Sequence, residues 1–402
     1  MSDKNSDVND SMSWNDRVNS TKNYWSFNVP IPEDPLHCLS AQTMQCDSSA
    51  PYRTMNGSCN NLLHPTWGIA NECYLRYQPA FYEGNPEEGI GFETLQKSKN
   101  GDPLPPVRDI ILNIFKDVHS PSPNVSLMFT IYGQTVDHDL SRAENKNTSR
   151  EQVNAVTSAL DASMVYGTDD KRAMELRAKD GTGKLNISSS EYGELLPIDT
   201  HTYEVFCRHK KPSTCFYAGD VRVNMHVFLT GITTYFVREH NRLATKLKKI
   251  NPHWKEEKLY QEARRINTAT LQCIIYKDYL PPLLGQYIME LFNLTVTNAT
   301  EGSRYNRNIR LGVSNEFATA AFRLHSMIPK TVGSVDFRRP GVPYGFDLSS
   351  IDIMRGRDHG LAPYIVMVRF CSGGQVNIST FADFAPLLMT KKRAKMLKEN
   401  YA

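Results

Sequence analysis

Residues 131–140 read IYGQTVDHDL, setting His138 between Asp137 and Asp139 with Gln134 one helical turn ahead of it. Adjacent carboxylates repel, so the crowding needs a reason. On a helix, Gln134, Asp137 and His138 fall at i, i+3 and i+4 on one face, while Asp139 turns about 100° away from its neighbour. The two aspartates then address different partners. A helix with one solvated polar face satisfies the same spacing, so the rest of the chain has to decide.

The 402-residue chain is 40% hydrophobic and 22% charged, an ordinary globular composition with room for one large core or two smaller ones. Its formal net charge is +3, and its densest basic cluster, KKRAK at 391–395, reads as a solvated helix face. Nucleic acid is therefore a poor partner. The longest uncharged stretch, VNMHVFLTGITTYFV at 223–237, is too short and too polar for the roughly 18–20 apolar residues of a membrane span.

Four cysteines come early (Cys38, Cys46, Cys59, Cys73), Cys207 and Cys215 bound a short loop, and Cys273 and Cys371 stand apart. No Cys-x-x-Cys occurs, which argues against zinc and for local disulfides in an oxidising compartment. Sequons at Asn19, Asn56, Asn124, Asn147, Asn186, Asn293, Asn298 and Asn377 point the same way. The opening MSDKNSDVND has no apolar leader, so the expectation is a secreted chain from which the signal has been removed.

Residues 1–35 read as a flexible polar tail. From Tyr52 to about 110, Pro, Gly and Asn predict irregular structure pinned by disulfides. Helices follow. NVSLMFTIYGQTVDHDL is one. NMHVFLTGITTYFVREHNRLATKLKKI is the strongest, with Phe228, Ile232, Phe236, Leu243 and Leu247 at helical spacing and a basic end. EEKLYQEARRINTATLQCIIYKDYL is expected to stop at Pro281-Pro282, SNEFATAAFRLHSMI to close at Pro329, and FAPLLMTKKRAKMLKENY to form the last helix. The class is mainly α with little β.

Seven segments, GQTVDHDL, DASMVYG, AGDVRVN, REHNRLATKLKKINPHW, QEARR, AAFRLHSMIP and MRGRDHGL, resemble in order the signatures of the animal haem peroxidases, the peroxidase–cyclooxygenase superfamily, with a peroxinectin-like character. The resemblance runs from about Tyr52 to the end and implies a helical peroxidase domain over 36–402.

The resemblance implies roles that chemistry can judge. His138 matches the distal histidine, a neutral imidazole able to take a proton from one peroxide oxygen and return it to the other. Arg222 matches the distal arginine, a permanent charge for the leaving oxygen. Gln134 matches the glutamine that holds water, peroxide or halide. His325 matches the iron ligand, with Asp352 on its far nitrogen where many relatives have asparagine; a carboxylate there favours the oxidised iron and retunes the haem. Arg323 is expected to pair with a haem propionate, whereas His240 and His359 read as structural. Asp139 matches a calcium ligand, joined by Thr157, the Ala159 carbonyl, Asp161 and Ser163, an oxygen set suited to a hard cation.

Departures matter as much. Asp137 matches the aspartate that esterifies a haem methyl, but Met225 stands where the family has its second esterifying glutamate. Arg323-Leu324-His325 lacks the usual glycine before the histidine, as in the fatty-acid dioxygenase branch, yet Phe322 replaces the tyrosine that such enzymes need. The family continues past KENYA with further helices and a cysteine partner for Cys371, so the expectation is a chain lacking the C-terminal part, with Cys207–Cys215 its safest bridge. The implied function is a secreted haem peroxidase that reduces hydrogen peroxide while oxidising small phenolic or halide donors. A non-catalytic adhesion or matrix module and a fatty-acid dioxygenase are the alternatives.

Overall fold

The computed structural model describes residues 44–82, 96–98, 100–115, 122–144, 151–191, 193–200, 215–296, 305–328, 331–332, 335–336, 348–385 and 388–401. The expected N-terminal tail, Cys38, Cys207 and the sequons at Asn19, Asn147 and Asn298 lie outside the described residues. Described helices are α1 (Val107–Ile114), α2 (Leu127–Leu140), α3 (Ser163–Tyr166), α4 (Asp170–Glu175), α5 (Val227–Ile250) and α6 (Glu256–Ile274). Then come α7 (Leu280–Leu284), α8 (Gln286–Leu291), α9 (Leu348–Asp358), α10 (Tyr364–Cys371) and α11 (Lys391–Tyr401). Strands are two or three residues long. The largest described sheet is antiparallel, Glu72–Cys73 and Ala143–Glu144 flanking Val153–Asn154. The expected mainly-α class is what the chain adopts.

Helices α5 and α6 pack against α2 to form the main core. Ile232, Phe236 and Val237 of α5 meet Tyr260 and Leu271 of α6 and Ile131 and Val136 of α2, all buried. Apolar area removed from water drives this association, at roughly 25 cal/mol per Å². Two close approaches fix its geometry. A Cβ at Gly133 of α2 would collide with the hydroxyl of Tyr279, and one at Gly219 would collide with the Ser163 carbonyl and the Gly167 amide. Both glycines let one segment sit directly on another.

A buried polar network ties the same elements together. His240 Nε2–H donates to the Gly183 carbonyl at 2.9 Å, and its Nδ1 accepts from the Tyr166 hydroxyl at 3.0 Å. Asn267 donates to both Tyr166 and the Phe236 carbonyl. His359 is likewise buried, its Nδ1 bonded to Asn315 at 2.7 Å.

Three helix boundaries differ from those expected. The run that begins at Glu256 does not stop at Pro281-Pro282. A π-helical segment, Ile275–Tyr279, carries it into α7, where both prolines occupy the first turn and need donate no N–H. SNEFATAAFRLHSMI is not one helix. The Phe322 amide reaches back five residues to the Phe317 carbonyl, making a π turn over Phe317–Ala321, and a 3-10 turn at His325–Met327 follows. The last helix starts at Lys391, beyond Pro386, after a separate 3-10 turn at Phe381–Phe384 capped by Thr380 and Asp383. Cys46 is bonded to Cys59, Cys73 and Cys215 are also in disulfides, and Cys273 and Cys371 are free.

Candidate active site

Between α2 and the 322–328 turn lies a cleft of about 490 Å³, open mouth included. One wall carries Gln134 and Asp137 from α2 with Tyr279 beside them; the other carries Phe322, Arg323, His325 and Met327. The widened π turn ending at Ala321 and the 3-10 turn after it bring both Phe322 and His325 to this wall.

His325 is held from behind. Its Nδ1 lies 2.9 Å from each carboxylate oxygen of Asp352 on α9, so Nδ1–H donates to Asp352. Nε2 makes no hydrogen bond among the described residues and belongs to a ring that lines the cleft. Asp137 faces this wall with a buried Oδ1 that has no hydrogen-bond partner. Burial pushes its carboxyl upward in pKa, while Arg222, Arg323 and His325 pull it back. An imidazole with its lone pair free, an arginine and an unpartnered buried carboxyl around one cleft are a donor set that fits an iron porphyrin.

The sequence placed Gln134, Asp137 and His138 on one face; the structure divides them. His138 is buried and lines a separate, smaller cavity with Thr135, Met164, Asp220 and Leu229. The 100° step between consecutive helical residues explains the split. Burial first, and then the charge of Arg222, hold its imidazole well below its ordinary pKa, so it is neutral. Arg222 touches the His138 backbone rather than the cleft. Its Nη1 donates to the Ser141 carbonyl at 2.8 Å, and its Nη2 to the His138 carbonyl at 3.1 Å and to Asp220 at 2.8 Å. Nε also donates to Asp220. The guanidinium thus closes the C-terminal end of α2. Although burial opposes ionisation, Arg222 holds the Asp220 carboxyl well below the usual carboxylate range.

Met225 is 44% exposed and does not line the cleft. Its neighbour His226 instead caps α5 and bonds Gln134 at 2.7 Å. Sequence reasoning passed over His226, since a lateral contact between a turn and a distant helix leaves no spacing signal. It also passed over Arg355 in MRGRDHG. Arg355 lies near Arg323, and burial together with that second cation lowers its pKa. Arg323 itself donates Nε to the Ala318 carbonyl at 2.9 Å.

Asp139 faces a second site. It is fully buried beside Asp161, accepting from the Ala162 amide at 3.1 Å and the Ser163 hydroxyl at 3.0 Å. Thr157 donates to Asp161 at 2.8 Å, and the Ala159 carbonyl accepts the Asp161 amide. Helix α6 braces the loop, Thr268 and Gln272 donating to the carbonyls of Asp161 and Leu160. Burial and repulsion from Asp161 push Asp139 up to about 8. Among the described residues no salt bridge reaches either carboxylate. Two buried acids surrounded by hydroxyl and carbonyl oxygens fit a hard cation.

The family model for animal haem peroxidase matches residues 52–149, 142–341 and 336–402. The chain belongs to the animal haem peroxidase family. It is 30% identical to lactoperoxidase of Mesocricetus auratus over 90% of its own length and 67% of that protein's. In fold it is similar to peroxidase A of Dictyostelium discoideum, with a TM-score of 0.69 at 21% identity over 88% of this chain and 84% of that one. A fatty acid alpha-dioxygenase of Oryza sativa shares the fold at a TM-score of 0.66 and 16% identity, covering 96% of this chain and 76% of that one.

Proposed function

We propose that this chain is a haem peroxidase, reducing hydrogen peroxide and oxidising small phenolic or halide donors. One observation carries the reading: His325, oriented by Asp352, presents its free nitrogen to a cleft whose opposite wall holds Gln134 and Asp137. Bound there, haem would supply the iron at which peroxide is reduced and donors are oxidised. The chain's own residues do the rest. Asp352 makes His325 a more basic ligand. Arg323, with Arg355 behind it, would pair with the propionates, and Asp137 would form one ester link. His138 is the proposed proton carrier, with burial and Arg222 keeping it in the neutral state that accepts a proton.

Calcium at Asp139, Asp161, Thr157, Ser163 and the Ala159 carbonyl would pin the end of α2 next to His138. An extracellular setting is supported by the Cys46–Cys59 bridge and by the exposed position of the five described sequon asparagines. The Phe322 ring at the cleft, stacked on Phe317, has no hydroxyl to lose a hydrogen atom and disfavours lipid dioxygenation. A non-catalytic module remains the second reading, because Arg222 is spent on Asp220 and backbone carbonyls and His138 lies off the cleft.

Absorption of the chain given haem tests both. A Soret band together with peroxide-dependent oxidation of a phenolic dye is expected. His138→Ala keeps the band and loses about 10²–10⁴-fold in rate, whereas His325→Ala loses the haem. A His138→Ala chain that turns over normally removes the proton-carrier role; a wild-type band without turnover selects the non-catalytic module.

A further inference from the structure

His226 makes two contacts that together fix a direction. Its Nδ1 lies 3.3 Å from the backbone nitrogen of Leu229, and its Nε2 lies 2.7 Å from Oε1 of Gln134. A backbone N–H only donates, so Nδ1 must accept. In a neutral imidazole the proton is then on Nε2, and burial favours that neutral form. Nε2–H therefore donates to Gln134, and the atom receiving it has to be the amide oxygen. The rest of the amide follows: its NH₂ is turned from His226, makes no hydrogen bond among the described residues, and belongs to a side chain that lines the cleft.

We infer that His226 is a positioning residue. It locks the Gln134 amide with its NH₂ toward the cleft, so that this wall offers donors and selects a small hydrogen-bond acceptor, an anion or a peroxide oxygen, over a donor. The inference rests on reading the cleft as the haem site. A glutamine free to flip would present oxygen or nitrogen as the ligand required; the chain from the Leu229 amide through the imidazole removes that freedom. Met225, the preceding residue, points outward and takes no part.

Two measurements test it. In the haem-free chain, ¹⁵N spectra of His226 should show the Nε2–H tautomer, and His226→Asn should move the side-chain amide signal of Gln134. Asparagine is itself a good N-cap but is too short to reach Gln134, so α5 keeps its start. In the haem-loaded chain, fluoride binding followed by the absorption shift should weaken about tenfold in His226→Asn, the worth of one neutral hydrogen bond. In a Gln134→Ala background the same substitution should change nothing, which a merely structural role would not produce. An Nδ1–H tautomer, or an equal loss in both backgrounds, overturns the inference. A chain with the expected tautomer and no Soret band sinks the haem reading while leaving the His226–Gln134 lock in place.

Discussion

Asp137 and Asp139 sit two residues apart on α2, the first half-buried and the second fully buried, and they live in opposite surroundings. Asp137 lines the cleft, where burial raises its pKa against the opposing charges of Arg222, Arg323 and His325, and one oxygen has no partner. Asp139 looks into a loop that contributes only oxygens and a second acid, and it is pushed up to about 8. The first is an acid whose burial is opposed by nearby cationic side chains. The second is an acid beside another acid and among hydroxyl and carbonyl oxygens, a repulsion that either a proton or a bound cation would relieve. A helix turning 100° per residue lets one short motif serve both, and it couples them: whatever fixes Asp139 fixes the register of Gln134 and Asp137 on the other side.

The sharpest break of that contrast is Asp139→Asn, because its sign should depend on the medium. With calcium saturating, the substitution removes a ligand and lowers stability by about 4 kcal/mol, the linkage expected at a thousandfold excess over Kd. In chelator it removes repulsion from Asp161 and raises stability. Thermal melts of both chains in both media should therefore cross; a shift of the same sign in the two sinks the cation site.

With calcium saturating, acid should reveal the opposite kind of buried group. His240, held at about 4 by burial, stays neutral inside its network with Tyr166 and Gly183. Between pH 6.5 and about 4 the unfolded chain binds a proton here that the folded chain refuses. Unfolding then takes up a proton, and stability falls as pH falls, by on the order of 3 kcal/mol across the window. Denaturant melts against pH check the slope, and an NMR titration of His240 with an ordinary midpoint would contradict it.

On the cleft side the effect should be smaller and local. Gly133→Ala drives a methyl into the Tyr279 hydroxyl, and Tyr279 lines the cleft beside Gln134 and Asp137. Overpacking of this kind costs about 1–3 kcal/mol. The Soret band should shift, while the calcium-dependent rise in melting temperature keeps its size. Loss of the calcium response as well would mean that the two sides of α2 are not separable.

Much of this was legible in the chain. The helical period of Phe228, Ile232 and Phe236 gave α5, and the order of the motifs gave the family and the His325–Asp352 pair. What stayed hidden depends on tertiary contact. The π segments at 275–279 and 317–321 obey no hydrophobic period, so the prolines at 281–282 read as a stop. That Asp137 and His138 part company was not visible either, since i+3 and i+4 count as one face until the neighbours divide it. Arg222 reads as a permanent charge for the leaving oxygen because nothing in GDVR shows that Asp220 and the end of α2 will claim every nitrogen.

The smallest expected effect separates Met225 from His226. Resemblance gave position 225 to a haem link, but the side chain there is 44% exposed, and it is its neighbour His226 that bonds Gln134 on the cleft wall. Met225→Ala should alter stability by less than about 0.5 kcal/mol, as exposed substitutions do, and should leave the absorption spectrum and the acid-extractable fraction of haem unchanged. Because the two residues are adjacent, a general disturbance of the 221–226 turn would affect both variants alike. Haem that becomes more extractable in Met225→Ala would show the side chain swinging inward when the cofactor binds, and the outward placement of Met225 would then hold for the haem-free chain alone.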